Sequence, residues 1–270
     1  MIFKDKVVII TGASSGIGKA LAVELSKRGA KVVLASRNLE NLSKTKQICD
    51  QYNSFALIVK TDVSREDDCK ELMIRTIKEY GRIDILINNA GVSMRALFKD
   101  LDLKVIRQLM DVNFWGAVYC IKYALPYLLE TKGSIVGVSS IASYRGLPGR
   151  TGYSASKFAM RGFLETLRTE NRKTGLHVLT VAPNYTASNI RNTALRADGT
   201  IQCESPRDEN KMMTAEEVAR RICVAIKRRK TVVNMTFNGK MIVWINRFFP
   251  NMMDKIVYNQ LAKEHDSPFK

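Results

Sequence analysis

Histidine and acidic residues are scarce in this chain of 270 residues. The two histidines, His177 and His265, lie far apart, and neither belongs to an H-x-x-x-H or Cys/His cluster with zinc spacing. No metal site is expected. Cysteines at 49, 69, 120, 203 and 223 form no C-x-x-C pair, and their odd number argues against a complete disulfide framework. A reducing compartment fits that usage. No run of about 18 apolar residues is present, so a transmembrane segment is not expected. The opening "MIFKDKVVIITG" has too short an apolar run for a secretory signal and no small-residue cleavage site, which leads to the expectation of a cytoplasmic protein.

The deficit of acid is large: 26 Asp and Glu stand against 43 Lys and Arg, a net charge of +17. Three readings stay open, namely a solvated basic surface, attraction to anionic ligands or membranes, and nucleic-acid binding. The bases are spread along the chain, and "KRRK" (227–230) is the only compact run. No nucleic-acid partner is expected. Apolar and charged fractions of 46% and 26% are those of a globular protein, and one α/β domain spanning 1–270 has an ample core.

Seven apolar runs bounded by turn residues read as short strands: "KVVIIT", "KVVLAS", "FALIVK", "DILINN", "SIVGVSS", "HVLTVA" and "TVVNM". Amphipathic stretches such as Ile17 to Arg28 and Arg65 to Tyr80 separate most of them. The alternation predicts a doubly wound parallel sheet of about seven strands with helices on both faces, because almost continuously apolar strands leave neither face to water. The polar segment 186–211, with Asp-Gly and Ser-Pro turn signals, is too long for a connector and reads as a substrate lid. An extension over 239–270 places apolar residues at helical spacing, interrupted near Pro250. It is expected to pack on the domain or a partner subunit, to cover an apolar pocket, or to lie on a membrane surface beside Arg247 and Lys255.

"TGASSGIG" (11–18) stands between the first strand and first helix. Glycines there let backbone N–H groups approach a pyrophosphate at the positive end of the helix. Gly12 makes the tight turn, Gly16 removes bulk, Gly18 permits close packing of helix on strand, and Ser14 and Ser15 add hydroxyl donors. At the end of the second strand, "LASRN" has Ser36 where an acid would bind ribose hydroxyls, followed by Arg37, whose guanidinium suits a 2′-phosphate. NADP(H) is therefore expected over NAD(H).

The spacing T-G-x-x-x-G-x-G resembles that of the short-chain dehydrogenase/reductase family. The resemblance continues through "NNAG" (88–91), Asn113 of "DVNFWG", Ser140 and "YSASK" (153–157), and covers Thr11 to about Ser188. It implies a Rossmann-type fold and a cofactor set of Gly12, Ser14, Ser15, Gly16, Ile17, Gly18, Arg37, Asp62, Val63, Asn89, Ala90, Gly91, Tyr153 and Lys157. It implies a catalytic set of Asn113, Ser140, Tyr153 and Lys157, in which Asn113 holds a water of a proton relay. Tyr153 and Lys157 lie one turn apart on one helix face, where an ammonium would lower the phenol's pKa of about 10. Ser140, thirteen residues before Tyr153, is selected over Ser139 and would donate a hydrogen bond to the substrate oxygen.

After the sixth strand the chain departs from the family's Pro-Gly, reading "APNYTASN". Thr186 and Ser188 are both retained as cofactor contacts. The resemblance is to members acting on lipophilic ketones and alcohols, such as hydroxysteroid dehydrogenases, and implies a homodimer or homotetramer. A 3-oxoacyl-thioester reductase is the enzymatic alternative. A non-catalytic NADP(H) sensor or a basic nucleic-acid-binding protein is the alternative of another class.

Overall fold

Seven parallel strands form the sheet: β1 (Val7–Thr11), β2 (Lys31–Ser36), β3 (Leu57–Lys60), β4 (Ile85–Asn88), β5 (Ser134–Val138), β6 (His177–Ala182) and β7 (Val232–Asn234). Their order is β3-β2-β1-β4-β5-β6-β7, so the chain reverses its direction of winding between β1 and β4. Each apolar run of the sequence became one of these strands. The computed structural model describes residues 2–52, 54–184, 186–203, 212–263, 267 and 269, excluding the Phe237 side chain.

Helices cover both faces because successive strand residues point to opposite sides. Val8 and Ile10 of β1 pack with Leu21, Leu42 and Ile222, which come from α1 (Gly16–Lys27), α2 (Leu39–Asp50) and α7 (Ala215–Lys227). Val7 and Ile9 pack with Leu72, Ile121 and Leu164 from α3 (Glu66–Tyr80), α5 (Gly116–Glu130) and α6 (Thr151–Glu170). Burying each such side chain contributes roughly 1.5–3 kcal/mol. The short α4 (Leu103–Met110) carries Val105 and Leu109 into a third cluster, with Tyr153 and Leu195, above the sheet's carboxyl edge. The Rossmann-type single domain expected from the sequence is the fold observed.

Local chemistry fixes the ends. Asn38 and Thr214 cap α2 and α7 by accepting the N–H groups of Asn41 and Glu217. Buried Asp84 accepts from Val7 N at 3.0 Å and Lys6 Nζ at 2.9 Å, pinning the starts of β1 and β4 together. His177 bridges Ser134 Oγ (3.0 Å) and the Lys230 carbonyl (2.8 Å); a carbonyl only accepts, so Nε2 carries the proton. All five cysteines are free. Among the described residues, no helix is long and apolar enough to cross a membrane.

The extension forms two helices, α8 (Phe237–Phe248) and α9 (Pro250–Ala262), and the break falls at Pro250 as the sequence predicts. Inward-facing Met253, Val257 and Leu261 of α9 pack with Leu147, Ile242 and Ile245. The segment 186–203 is tied down rather than loose: Leu195 N donates to Ser93 O at 2.9 Å, and Arg95 N donates to Leu195 O at 2.8 Å. Residues 204–211 of the expected lid lie outside the described residues.

Candidate active site

The winding reversal opens a crevice at the carboxyl ends of β1 and β4, where doubly wound sheets bind ligands. Thr11 closes β1, and its hydroxyl accepts the N–H groups of Asn89 and Ala90, each at 3.0 Å. Asn89 Nδ2 returns bonds to the carbonyls of Thr11 (2.9 Å) and Gly12 (3.3 Å). The glycine turn and the "NNAG" segment are thus stitched into one wall. Gly12 and Gly16 adopt φ of +66° and +51°, the left-handed region. A Cβ at Gly12 would stand 2.9 Å from Ala90 Cα, and one at Gly18 only 2.1 Å from the Gly12 carbonyl oxygen. Ser15 enters α1 without a side-chain cap, which leaves donors of the first turn for a ligand. This narrow, donor-rich turn at a positive helix end fits a dinucleotide pyrophosphate.

A cavity of about 710 Å³ runs from this turn in both directions. Toward the end of β2 it is lined by Ser36, Arg37, Asp62 and Val63, together with Asn38 and Asn41. Arg37 is 63% exposed, and its Nη1 lies 3.8 Å from Asp62 Oδ2, a loose pair that leaves the guanidinium free to turn. Asp62 is held in place by accepting from Ser64 N and Oγ at 3.1 and 2.7 Å. Asn38 and Asn41 also line the cavity and are not among the residues the sequence reading names; Asn38, the N-cap of α2, is the one a capping signal could have pointed to.

At the other end Ser140, Tyr153 and Lys157 converge. Ser140 follows β5, accepts from Ala142 N at 3.2 Å, and its hydroxyl favours the ionised form of the nearby Tyr153 phenol. The buried Ser139 hydroxyl has no hydrogen-bond partner among the described residues. α6 presents Tyr153 and Lys157 on one face, with Lys157 Nζ 5.8 Å from the phenol ring centre and donating to Val138 O at 3.1 Å. Burial pushes the Lys157 ammonium down to about 8. The phenol behaves differently from the sequence expectation. Burial raises its pKa, outweighing the opposing effects of the Ser140 hydroxyl and the charges of Arg150 and Arg191. Desolvation wins because both groups sit inside the protein.

Asn113 is 1% exposed and lies in a π-helical turn (Asp111–Trp115) between α4 and α5. Its Nδ2 donates to Val92 O and Ser156 Oγ, both at 2.9 Å, and its Oδ1 accepts from Val92 N at 2.8 Å. A Cβ at Gly91 would be 3.0 Å from Asn113 Oδ1 and 3.4 Å from Lys157 Nζ. Absence of that side chain leaves a gap between the two polar groups. Thr186 donates to Asn184 O at 3.2 Å, while Ser188 faces the glycine turn with its Cβ 3.4 Å from a Cβ built at Gly16. Leu147, Ile190, Leu195 and Ile201 form an apolar wall, completed by Ile242, Val257 and Leu261 of the extension.

Residues 6–198 match the short chain dehydrogenase family. The chain is 34% identical over 256 residues to an 11-beta-hydroxysteroid dehydrogenase A of Sesamum indicum, covering 92% of this chain and 73% of that protein. It is 33% identical over 272 residues to dehydrogenase/reductase SDR family member 7B of Rattus norvegicus, covering 98% and 84% respectively. Its fold is similar to a crystal structure of a short chain dehydrogenase/reductase from Burkholderia phymatum in complex with NAD, with a TM-score of 0.84 at 22% identity, covering 93% of this chain and 96% of that one. The chain belongs to the short-chain dehydrogenase/reductase family and is an NAD(P)(H)-dependent oxidoreductase acting on carbonyl and alcohol groups.

Proposed function

We propose that this protein reduces the carbonyl of a lipophilic ketone, such as a steroid or related compound, with NADP(H) preferred over NAD(H). One observation carries the reading: Ser140, Tyr153 and Lys157 meet at one end of a cavity whose adjoining wall is apolar. Arg37, following Ser36 in the position open to a 2′-phosphate, supports the cofactor preference. The relation to a hydroxysteroid dehydrogenase supports the substrate class.

Gly12, Ser14, Ser15, Gly16, Ile17 and Gly18 would hold the pyrophosphate. Asp62, Val63, Asn89, Ala90 and Gly91 would flank the adenine and the middle of the dinucleotide, with Thr186 and Ser188 at the nicotinamide. When bound, the nicotinamide supplies the hydride that the carbonyl carbon accepts. The protein's own share is to orient the ketone and move a proton. Ser140 donates to the carbonyl oxygen and fixes it beside the phenol. Tyr153 holds its proton at neutral pH, because burial raises its pKa, and gives it to that oxygen as negative charge develops. Lys157, Arg150 and Arg191 then offset the charge left on the phenolate. Asn113 has spent both side-chain donors, so its water-holding role falls to its remaining acceptors. Assembly as a dimer or tetramer belongs to this reading and is measured by light scattering.

The test is a panel of steroids, small ketones and acyl thioesters offered with NADPH and NADH, following nicotinamide absorbance. Lipophilic ketones with NADPH should give the highest kcat/KM. Tyr153→Phe should keep NADPH binding and lose at least about a hundredfold in turnover. Equal turnover by that variant, or faster reaction with NADH, would overturn the corresponding part.

A further inference from the structure

The extension has two faces, and the cavity uses only one. While Ile242, Val257 and Leu261 turn inward, six large apolar side chains between 241 and 256 point outward. Met241, Trp244 and Phe248 form an i, i+3, i+7 stripe on α8, with Trp244 60% and Phe248 56% exposed and their ring centres 5.3 Å apart. Phe249 at the break is 53% exposed, and Met252 and Ile256 continue the surface on α9. Exposed apolar groups gathered so closely mark a surface with a partner.

Charge identifies that partner. Lys240 and Arg247, seven residues apart, run beside the α8 stripe, while Lys255 is exposed on α9 and Lys263 is exposed just after it. The only acid between 238 and 263 is Asp254, and it is paired with Arg145. A second copy placed on this face would bring cations against cations. Apolar and aromatic groups flanked by bases are instead the pattern of a helix lying in the plane of an anionic bilayer.

We propose that the outer faces of α8 and α9 dock on an anionic lipid surface. Trp244, Phe248 and Phe249 enter the headgroup boundary, and Lys240, Arg247 and Lys255 meet the lipid charges. One consequence rests on the reductase reading: the helices that touch lipid also form part of the cavity wall, so a ketone dissolved in the bilayer has a short route to Tyr153.

The experiment uses the full chain carrying Trp115→Phe, which leaves Trp244 as the sole tryptophan. It is mixed with phosphatidylcholine vesicles prepared with and without phosphatidylglycerol. Flotation with the anionic vesicles, a blue shift of Trp244 and its quenching by brominated lipid are expected, all weakening as salt rises. Charge reversal at Lys240, Arg247 and Lys255 should reduce partitioning by about a hundredfold or more, with near-ultraviolet circular dichroism confirming that the fold is retained. Trp244→Ser with Phe248→Ser should also lower partitioning. Absence of flotation would overturn the proposal, as would burial of Trp244 through self-association without lipid. Reduction of a water-soluble ketone without vesicles reads the reductase separately, so failure of one leaves the other standing.

Discussion

Lys157 is held at a cost to the fold. Its ammonium is buried, which lowers its pKa from 10.5 to about 8, while it donates a hydrogen bond to the Val138 carbonyl at 3.1 Å. Below pH 8 folded and unfolded chains both hold the proton, so the native state bears the whole desolvation penalty. Between about 8 and 10.5 the unfolded chain still binds a proton that the native chain has released, and stability rises with pH. The difference amounts to about 3 kcal/mol. Lys157→Met should therefore exceed the wild type in stability at pH 7 by up to about 2 kcal/mol, after loss of one hydrogen bond worth about 1 kcal/mol. The gain should shrink as pH approaches 10 while carbonyl reduction stays abolished. Urea unfolding at both pH values measures it, and a pH-independent difference would mean that the ammonium is solvated. Spacing puts Tyr153 and Lys157 on one helix face, and the family resemblance is what implies that they act as a pair. Neither gives a sign that burial dominates the phenol, because desolvation depends on α4 and the segment around Leu195, which are distant in the chain.

Two helices carry glycines that look alike in sequence and differ in surroundings. In α1, a Cβ at Gly18 would lie 2.1 Å from the Gly12 oxygen and 2.8 Å from its carbon, and backbone cannot yield as a flexible side chain can. In α6, a Cβ at Gly162 would meet nothing within 4 Å. Gly18→Ala should push α1 off the turn, destabilise by about 1–3 kcal/mol and weaken NADPH binding. Gly162→Ala should stabilise by about 0.5–1 kcal/mol with binding unchanged. Thermal unfolding and titration of NADPH fluorescence read both, and equal behaviour of the two variants would remove the close-packing argument. Elements governed by local pattern were legible: every apolar run became a strand, and α3 spans Glu66–Tyr80 where the sequence pattern predicts an amphipathic stretch over Arg65–Tyr80. The π-helical turn at Asn113 was not, because its bonds go to Val92 and Ser156. Nor was the Thr11 clamp on Asn89 and Ala90, whose partners come together only through the β1–β4 pairing.

At the scale of the whole molecule, the sheet with its helices supports the cofactor crevice, and α8 and α9 cap the far end of the cavity with a small core of their own. Three readings of the extension stayed open in the sequence, since the same spacing serves a packed helix, a pocket cover and an interfacial helix. Tertiary contacts separate them by face: the inner side packs and lines the cavity, and the outer side remains exposed. Polar attachment of the cap centres on Arg145, just beyond Ser140 and itself part of the cavity wall. Its guanidinium donates to Asn246 Oδ1 at 3.0 Å and to Asp254, while Asn246 Nδ2 donates to the Tyr144 carbonyl at 3.1 Å. Asp254 is largely exposed, so the ion pair contributes about 1 kcal/mol or less, too little to alter global stability greatly. The effect should be confined to the cap. Arg145→Ala should accelerate amide exchange in α8 and α9 while β1 to β6 keep their protection, and should raise KM for a bulky ketone whose apolar wall has loosened. Hydrogen exchange and steady-state kinetics measure the two effects. Unchanged exchange in α8 and α9 would assign the attachment to Val257 and Leu261 packing alone, with the Arg145 contacts following from that packing.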